Sequence, residues 1–201
     1  MPTLHDHFST RYSDYLRDLE MLTDIDCGTY DKPGVDRVVE HVQALAQQFG
    51  LKPRRFPQAE YGDCLYLSVS GRGRARLFMI GHADTVYPDG TIASYPFRKA
   101  GDRILGAGVN DMKAGLLAGL YAIRVLMDEG FSNFAELGLF VNSEEEVGSP
   151  VSREIYPALA RGAEAGLVLE SARSNGDIVS ARKGSGTYHL RVSGRSAHAG
   201  V

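Results

Sequence analysis

The chain has two cysteines, Cys27 and Cys64, and neither belongs to a CxxC pair. A disulfide framework and a thiolate metal site are thereby excluded, so any metal would have to be held by nitrogen and oxygen. An imbalance of charge is also absent: 22 Lys+Arg stand against 25 Asp+Glu, a formal net charge of −3, and neither sign gathers into a block. That argues against nucleic acid or an anionic membrane as partner and leaves small molecules or peptides. No apolar run approaches the ~20 residues that a bilayer span needs. The opening MPTLHDHFSTRYSDYLRDLEML lacks the apolar core of a signal peptide, which predicts a cytoplasmic protein. There is no internal repeat and no low-complexity segment. At 201 residues the chain can form one sizeable domain, or one domain and part of another.

What is present is an alternation of helical and strand patterns. Phe8, Tyr12, Tyr15, Leu16, Leu19 and Leu22 recur at spacings of three and four and predict an amphipathic helix. After the turn-like GTYDKPG, Val35, Val38, Val39, Val42, Leu45, Ala46 and Phe49 predict a second, with Gly50 placed to end it. Leu65, Leu67 and Val69 alternate with small or polar neighbours as in a half-buried strand, and residues 75–80 form a short apolar run suited to an interior strand. A Gly-, Pro- and Tyr-containing loop follows from Val86. Met112, Leu116, Leu117, Leu120, Ile123, Leu126 and Met127 then trace a helix ending near Gly130, with Asp111 at its N-terminus. ELGLFVN (136–142) and AGLVLE (165–170) read as further strands, separated by a polar, helical stretch around residues 152–161. The order predicts an α/β domain with a mostly parallel central sheet flanked by helices over residues 1–177. From Ile178 the pattern changes, and Tyr188, Leu190 and Val192 alternate around a glycine-rich turn, predicting the first antiparallel strands of a smaller α+β lid or dimerisation domain over residues 178–201.

Ligands of parallel α/β sheets sit beyond the carboxyl ends of the strands, and three such ends here carry His82, the acidic run Glu144–Glu146, and Glu170. Asp111 precedes the helix between the first two. Each element has an ordinary structural explanation. His82 and Asp84 could be a hydrogen-bonded surface pair, the three glutamates a solvated turn, and Asp111 a helix cap. Glu170 fits such an explanation least, because a carboxylate closing so apolar a strand needs a cation or several donors. Together they suit hydrolysis by a pair of metal ions, in which imidazole and carboxylates hold the metals and one free carboxylate moves protons.

GHADTV, GAGVNDMKAG, NSEEEVGS, LVLE and GRSAHAG, in this order, resemble the motifs of the dizinc carboxypeptidases and amino-acid deacylases related to carboxypeptidase G, acetylornithine deacetylase and succinyl-diaminopimelate desuccinylase. The resemblance covers most of residues 19–201 and includes the intervals, with 29 residues from His82 to Asp111 and 24 from Glu146 to Glu170. It implies two zinc ions, for which cobalt or manganese could substitute. His82 and Glu170 would bind one ion, Glu146 the other, and Asp111 would bridge them. Asp84 would orient His82, Glu145 would be the general base, and Glu144 would lie outside the site. His198 would reach across a homodimer and steady the oxyanion of the partner's reaction. The implied substrate is a small peptide or N-acyl amino acid, cleaved at an amide to release a C-terminal amino acid; a deacylase acting on N-acyl-amino acids or succinyl-diaminopimelate is the alternative.

One element of the family pattern has no match. A late histidine on the second zinc is expected, but His5 and His7 should precede the first helix, His41 should fall on a polar helix face, and His189 should point outward. The chain therefore reads as the truncated front of a longer enzyme, with little or no activity of its own. Two other classes compete. A nucleotide-binding module would need a third glycine where GAGVND has Asp111. An inactive fragment that keeps the fold would lack turnover whatever its metal content.

Overall fold

A computed structural model describes residues 4–184, 186, 188–195, 198 and 200, in two compact units, residues 1–171 and 172–201. The first unit begins with helices α1 (Leu4–Thr23) and α2 (Lys32–Gln48). Both were expected, but α1 starts early enough to include His5 and His7, contrary to their expected place ahead of it. A long-range contact accompanies this: His7 Nδ1 lies 2.9 Å from Glu129 Oε1, which ties the first turns of α1 to the end of a later helix, Ala114–Asp128. Asp31 caps α2 by accepting from the Gly34 amide at 3.1 Å, and Pro33 sits in the first turn, where a missing N–H costs nothing. The apolar stripe of α2 is buried completely at Val35, Val38, Val39 and Val42, each contributing about 1.5–3 kcal/mol by removal from water.

The strands that follow are β1 (Lys52–Phe56), β2 (Cys64–Ser70) and β3 (Arg76–His82). Next come a one-turn helix α3 (Thr91–Ser94), the hairpin β4 (Arg98–Ala100) and β5 (Arg103–Leu105), helix α4 (Ala114–Asp128), strand β6 (Glu136–Asn142), short helix α5 (Tyr156–Ala160) and strand β7 (Ala165–Val168). Five strands form one sheet in the order β1-β2-β6-β3-β7. The half that ends at the site is parallel, β6 and β7 flanking β3, while β2 and β1 continue it antiparallel. Strand β1 was not anticipated, because KPRRF is polar and contains a proline. It is an edge strand, where Pro53 is tolerated and charged side chains are normal. The β4–β5 hairpin lies within the expected loop, and three-residue strands leave too little pattern to read.

The core lies between α1, α2, α4 and one face of the sheet, with Leu116, Leu117, Leu120, Leu139 and Val141 fully buried. On the other face Phe140 packs with Cys64, Tyr66 and Phe78, and with Tyr156 from α5. Because β6 is covered on both faces, ELGLFVN is continuously apolar rather than alternating.

In the second unit the residues from 178 onward that were expected to form strands carry no regular strand among those described, and Tyr188, Leu190 and Val192 are largely exposed. Alternation makes a strand only where a neighbour satisfies its backbone groups. The unit's local order includes a turn in which the Gly176 amide donates to Arg173 O at 2.8 Å. Of the SAHAGV segment, Ser196, Ala197, Ala199 and Val201 lie outside the described residues.

Candidate metal centre

The parallel pairing of β3 with β6 sets His82 beside Asn142 at the carboxyl edge of the sheet. The Ala83 amide extends this pairing to Asn142 O at 2.8 Å. On the other side the Leu169 amide reaches Ile80 O at 2.9 Å, one residue beyond β7, and so brings Glu170 alongside. The third arrival is Asp111. It does not stand at the N-terminus of α4 as expected, because residues 109–113 form an irregular turn in which Asp111 has φ −126° and ψ 95° and helix begins only at Ala114. That turn is held from below, where the His82 amide donates to Met112 Sδ at 3.2 Å.

His82 is almost wholly buried, and its two ring nitrogens have separate partners. Nδ1 lies 2.9 Å from the main-chain oxygen of Asp84 and 3.3 Å from its Oδ1. Nε2 faces acids: Asp111 Oδ1 at 3.1 Å, Glu170 Oε1 at 3.3 Å and Glu145 Oε2 at 4.0 Å. A second grouping of potential ligand atoms joins His82 to Asp111 and Glu146. The structure thus gathers His82, Asp84, Asp111, Glu145, Glu146 and Glu170. His198, exposed and accepting from the Gly200 amide at 3.1 Å, belongs to the second unit. His7 and His41 join no metal-capable group among the described residues.

Asp84 is buried and fully used. Its Oδ1 accepts from the Glu145 amide at 3.2 Å, and its Oδ2 from the Glu146 amide at 3.3 Å and the Thr29 hydroxyl at 2.7 Å. The three consecutive glutamates separate in kind. Glu144 is completely buried, with Oε1 accepting from the Val151 and Ser152 amides at 3.2 and 2.6 Å and Oε2 from Ser143 Oγ at 2.9 Å. It organises the loop and belongs to neither metal-capable group among the described residues, whereas Glu145 is about half exposed at the site.

These surroundings shift protons. Burial pulls the His82 imidazole down, but the hydrogen bond and charge of Asp84, with Glu170 and Glu145, outweigh it and raise the pKa to about 9. Burial first, then the charges of Asp111, Asp84 and Glu145, push Glu146 up to about 7 against the pull of His82. Glu146 Oε1 is buried with no hydrogen-bond partner among the described residues. An unpaired oxygen amid like charges fits a cation, and one imidazole with several carboxylates is a donor set suited to a divalent metal. A cavity of about 610 Å³ opens next to Glu146, bounded by Tyr30, Val86, Tyr87 and Val147.

Residues 78–192 match the profile of peptidase family M20/M25/M40, more than half of the chain. The chain belongs to peptidase family M20/M25/M40. Over 92% of its length it is 29% identical to carboxypeptidase G2 of Pseudomonas sp. (strain RS-16), and over 70% it is 30% identical to N-acetyl-L-citrulline deacetylase of Xanthomonas campestris. It spans 46% and 36% of those two proteins. The fold is similar to an M20 family metallo-carboxypeptidase from Sulfolobus solfataricus, with a TM-score of 0.69 at 20% identity, covering 81% of this chain and 39% of that one. The M20 family is hydrolytic and metal-dependent, and this chain has the framework and the groups that could hold a metal.

Two features of this chain around the cluster escaped sequence reading. The donors to Asp84 are main-chain amides and a threonine 55 residues away, which no local motif displays. Lys113 is buried to 1% exposure, its Nζ donating to Leu22 O at 2.8 Å and Ile25 O at 3.1 Å. Its place in NDMKAG was visible, but its burial was not.

Proposed function

We propose that this chain carries the metal centre of a zinc-dependent hydrolase that cleaves an amide bond and releases a C-terminal amino acid from an acyl or peptidyl group. The observation that carries the reading is the convergence of His82, Asp111, Glu145, Glu146 and Glu170 at one sheet edge, with a buried Glu146 oxygen left unpaired. In this reading His82, Asp111, Glu146 and Glu170 would hold the metal, His82 and Glu170 serving one ion, Glu146 a second, and Asp111 would be shared. Two bound divalent ions would lower the pKa of a water to about 7 and polarise the amide carbonyl. Asp84 keeps His82 Nε2 free for metal by occupying Nδ1. The Glu145 carboxylate, exposed enough to meet water, takes the proton of the attacking water and returns it to the departing amine. The substrate's acyl part has room in the cavity beside Glu146. His198 supplies the oxyanion donor across a homodimer, a role supported by its place in GRSAHAG. Two free, buried cysteines accord with a reducing, cytoplasmic setting.

The deciding test is zinc content per chain after exhaustive dialysis, for the parent and His82→Ala. Zinc kept by the parent and lost from the variant is the expected result. No zinc on the parent, or equal zinc on both, would remove the proposed centre.

A further inference from the structure

The connection between α1 and α2 touches both loops that carry the proposed ligands. Leu22 O, in the last turn of α1, and Ile25 O, at the start of the connection, accept from the buried ammonium of Lys113, two residues after Asp111. Further on, Cys27 O accepts from the Thr85 amide at 2.9 Å, and the Thr29 amide donates to Thr85 O at 3.2 Å. Gly28 pairs with Thr85 in a parallel bridge, and a Cβ on Gly28 would run into the Tyr87 carbonyl oxygen. The Thr29 hydroxyl makes the shortest hydrogen bond to Asp84, 2.7 Å to Oδ2. One short segment is therefore bonded to the Asp111 turn through Lys113 and to the His82–Thr85 loop through main chain and side chain.

We infer that this segment is a brace for the metal centre and that Thr29 is a positioning residue acting through Asp84. The inference rests on the metal reading above. Asp84 offers Oδ1 to His82 Nδ1 and the Glu145 amide, and Oδ2 to the Glu146 amide and Thr29. With donors on both oxygens the carboxylate cannot rotate, which fixes the His82 ring and the amides of the two glutamates together. Without the hydroxyl, Oδ2 keeps only the longer contact with Glu146, and the carboxylate gains freedom to turn. The Thr29 hydroxyl is bonded to Asp84 Oδ2, so the effect of removing it is argued through Asp84. Partners of this kind set ligand orientation and metal affinity.

The test measures zinc affinity by competition with a chromophoric chelator for the parent, Thr29→Val and Thr29→Ser, with melting of each in excess EDTA alongside. Thr29→Val should bind zinc about 10- to 100-fold more weakly, and Thr29→Ser, which keeps the donor, should return to within about threefold of the parent. A Thr29→Val chain that melts earlier in EDTA yet binds zinc as tightly as the parent would overturn the inference, leaving Thr29 a stability residue. A parent without zinc would overturn the metal reading, and the inference with it. Should Thr29→Val not fold, hydrogen exchange on the parent decides. Zinc should slow exchange at the Thr29 and Thr85 amides, because binding that depends on the brace must stabilise it in return. Unchanged exchange at both would refute the coupling.

Discussion

Replacing Glu144 by alanine tests the division of labour within the glutamate run. The carboxylate has no exposed surface and accepts from the Val151 and Ser152 amides and the Ser143 hydroxyl, with the Cys64 thiol at 3.7 Å as a weaker fourth. Alanine strands the buried Ser152 amide and Ser143 hydroxyl, while the Val151 amide, on an exposed residue, can turn to water. A hydrogen bond to a charged group contributes about 1.5–3 kcal/mol, and each stranded buried group costs about 1–3 kcal/mol. Part of that is recovered because the buried charge itself disappears. A loss of about 3–5 kcal/mol is expected, or a fall in melting temperature of about 6–20 °C for a chain of this size. Glu145→Ala, at a half-exposed position, should stay within about 0.5 kcal/mol. Urea unfolding and thermal melts in EDTA, followed by circular dichroism, measure both. If Glu144→Ala lost less than about 1 kcal/mol, or if Glu145→Ala were the more damaging, the assignment of Glu144 to the scaffold would be wrong.

Two further outcomes follow from the same geometry. With His82 raised to about 9 and Glu146 to about 7, both hold more protons folded than unfolded, so without metal their stabilising effect is greatest at low pH and is lost as pH rises through 7 towards 9. Metal must displace those protons, so zinc affinity should climb over the same window; calorimetry in buffers of different ionisation enthalpy would detect the release, and an affinity flat from pH 6 to about 9 would contradict it. At Gly115 an added Cβ would run into the Leu169 carbonyl oxygen, next to Glu170. Gly115→Ala should therefore lower both melting temperature and zinc affinity, and a variant equal to the parent in chelator competition would show that Glu170 does not depend on that close approach.

Most of the first unit was legible because its signals are local. The valine stripe of α2 and the apolar run of β6 state their period and length within a few residues, and the strand ends carrying His82 and Glu170 could be placed from them. What could not be read depends on distance or on main chain. Strand β1 exists because β2 offers it an edge, the Asp111 turn departs from helix although Met112 fits the helical stripe, and the 178–192 alternation is not expressed as strands among the described residues. The acidic cluster was apparent as a set of side chains. Its wiring was not, because Thr29 and the two glutamate amides reach Asp84 from elsewhere in the chain.

That wiring separates support from chemistry. Glu145 and Glu146 hold their loop to Asp84 through backbone N–H groups, which leaves their side chains for the roles proposed above. A lineage carrying this architecture could therefore lose catalysis by changing one side chain and keep an intact cradle, giving a metal-binding descendant without turnover. Proline is the exception: at either position it would delete the amide as well as the carboxylate, and cradle and chemistry would go together.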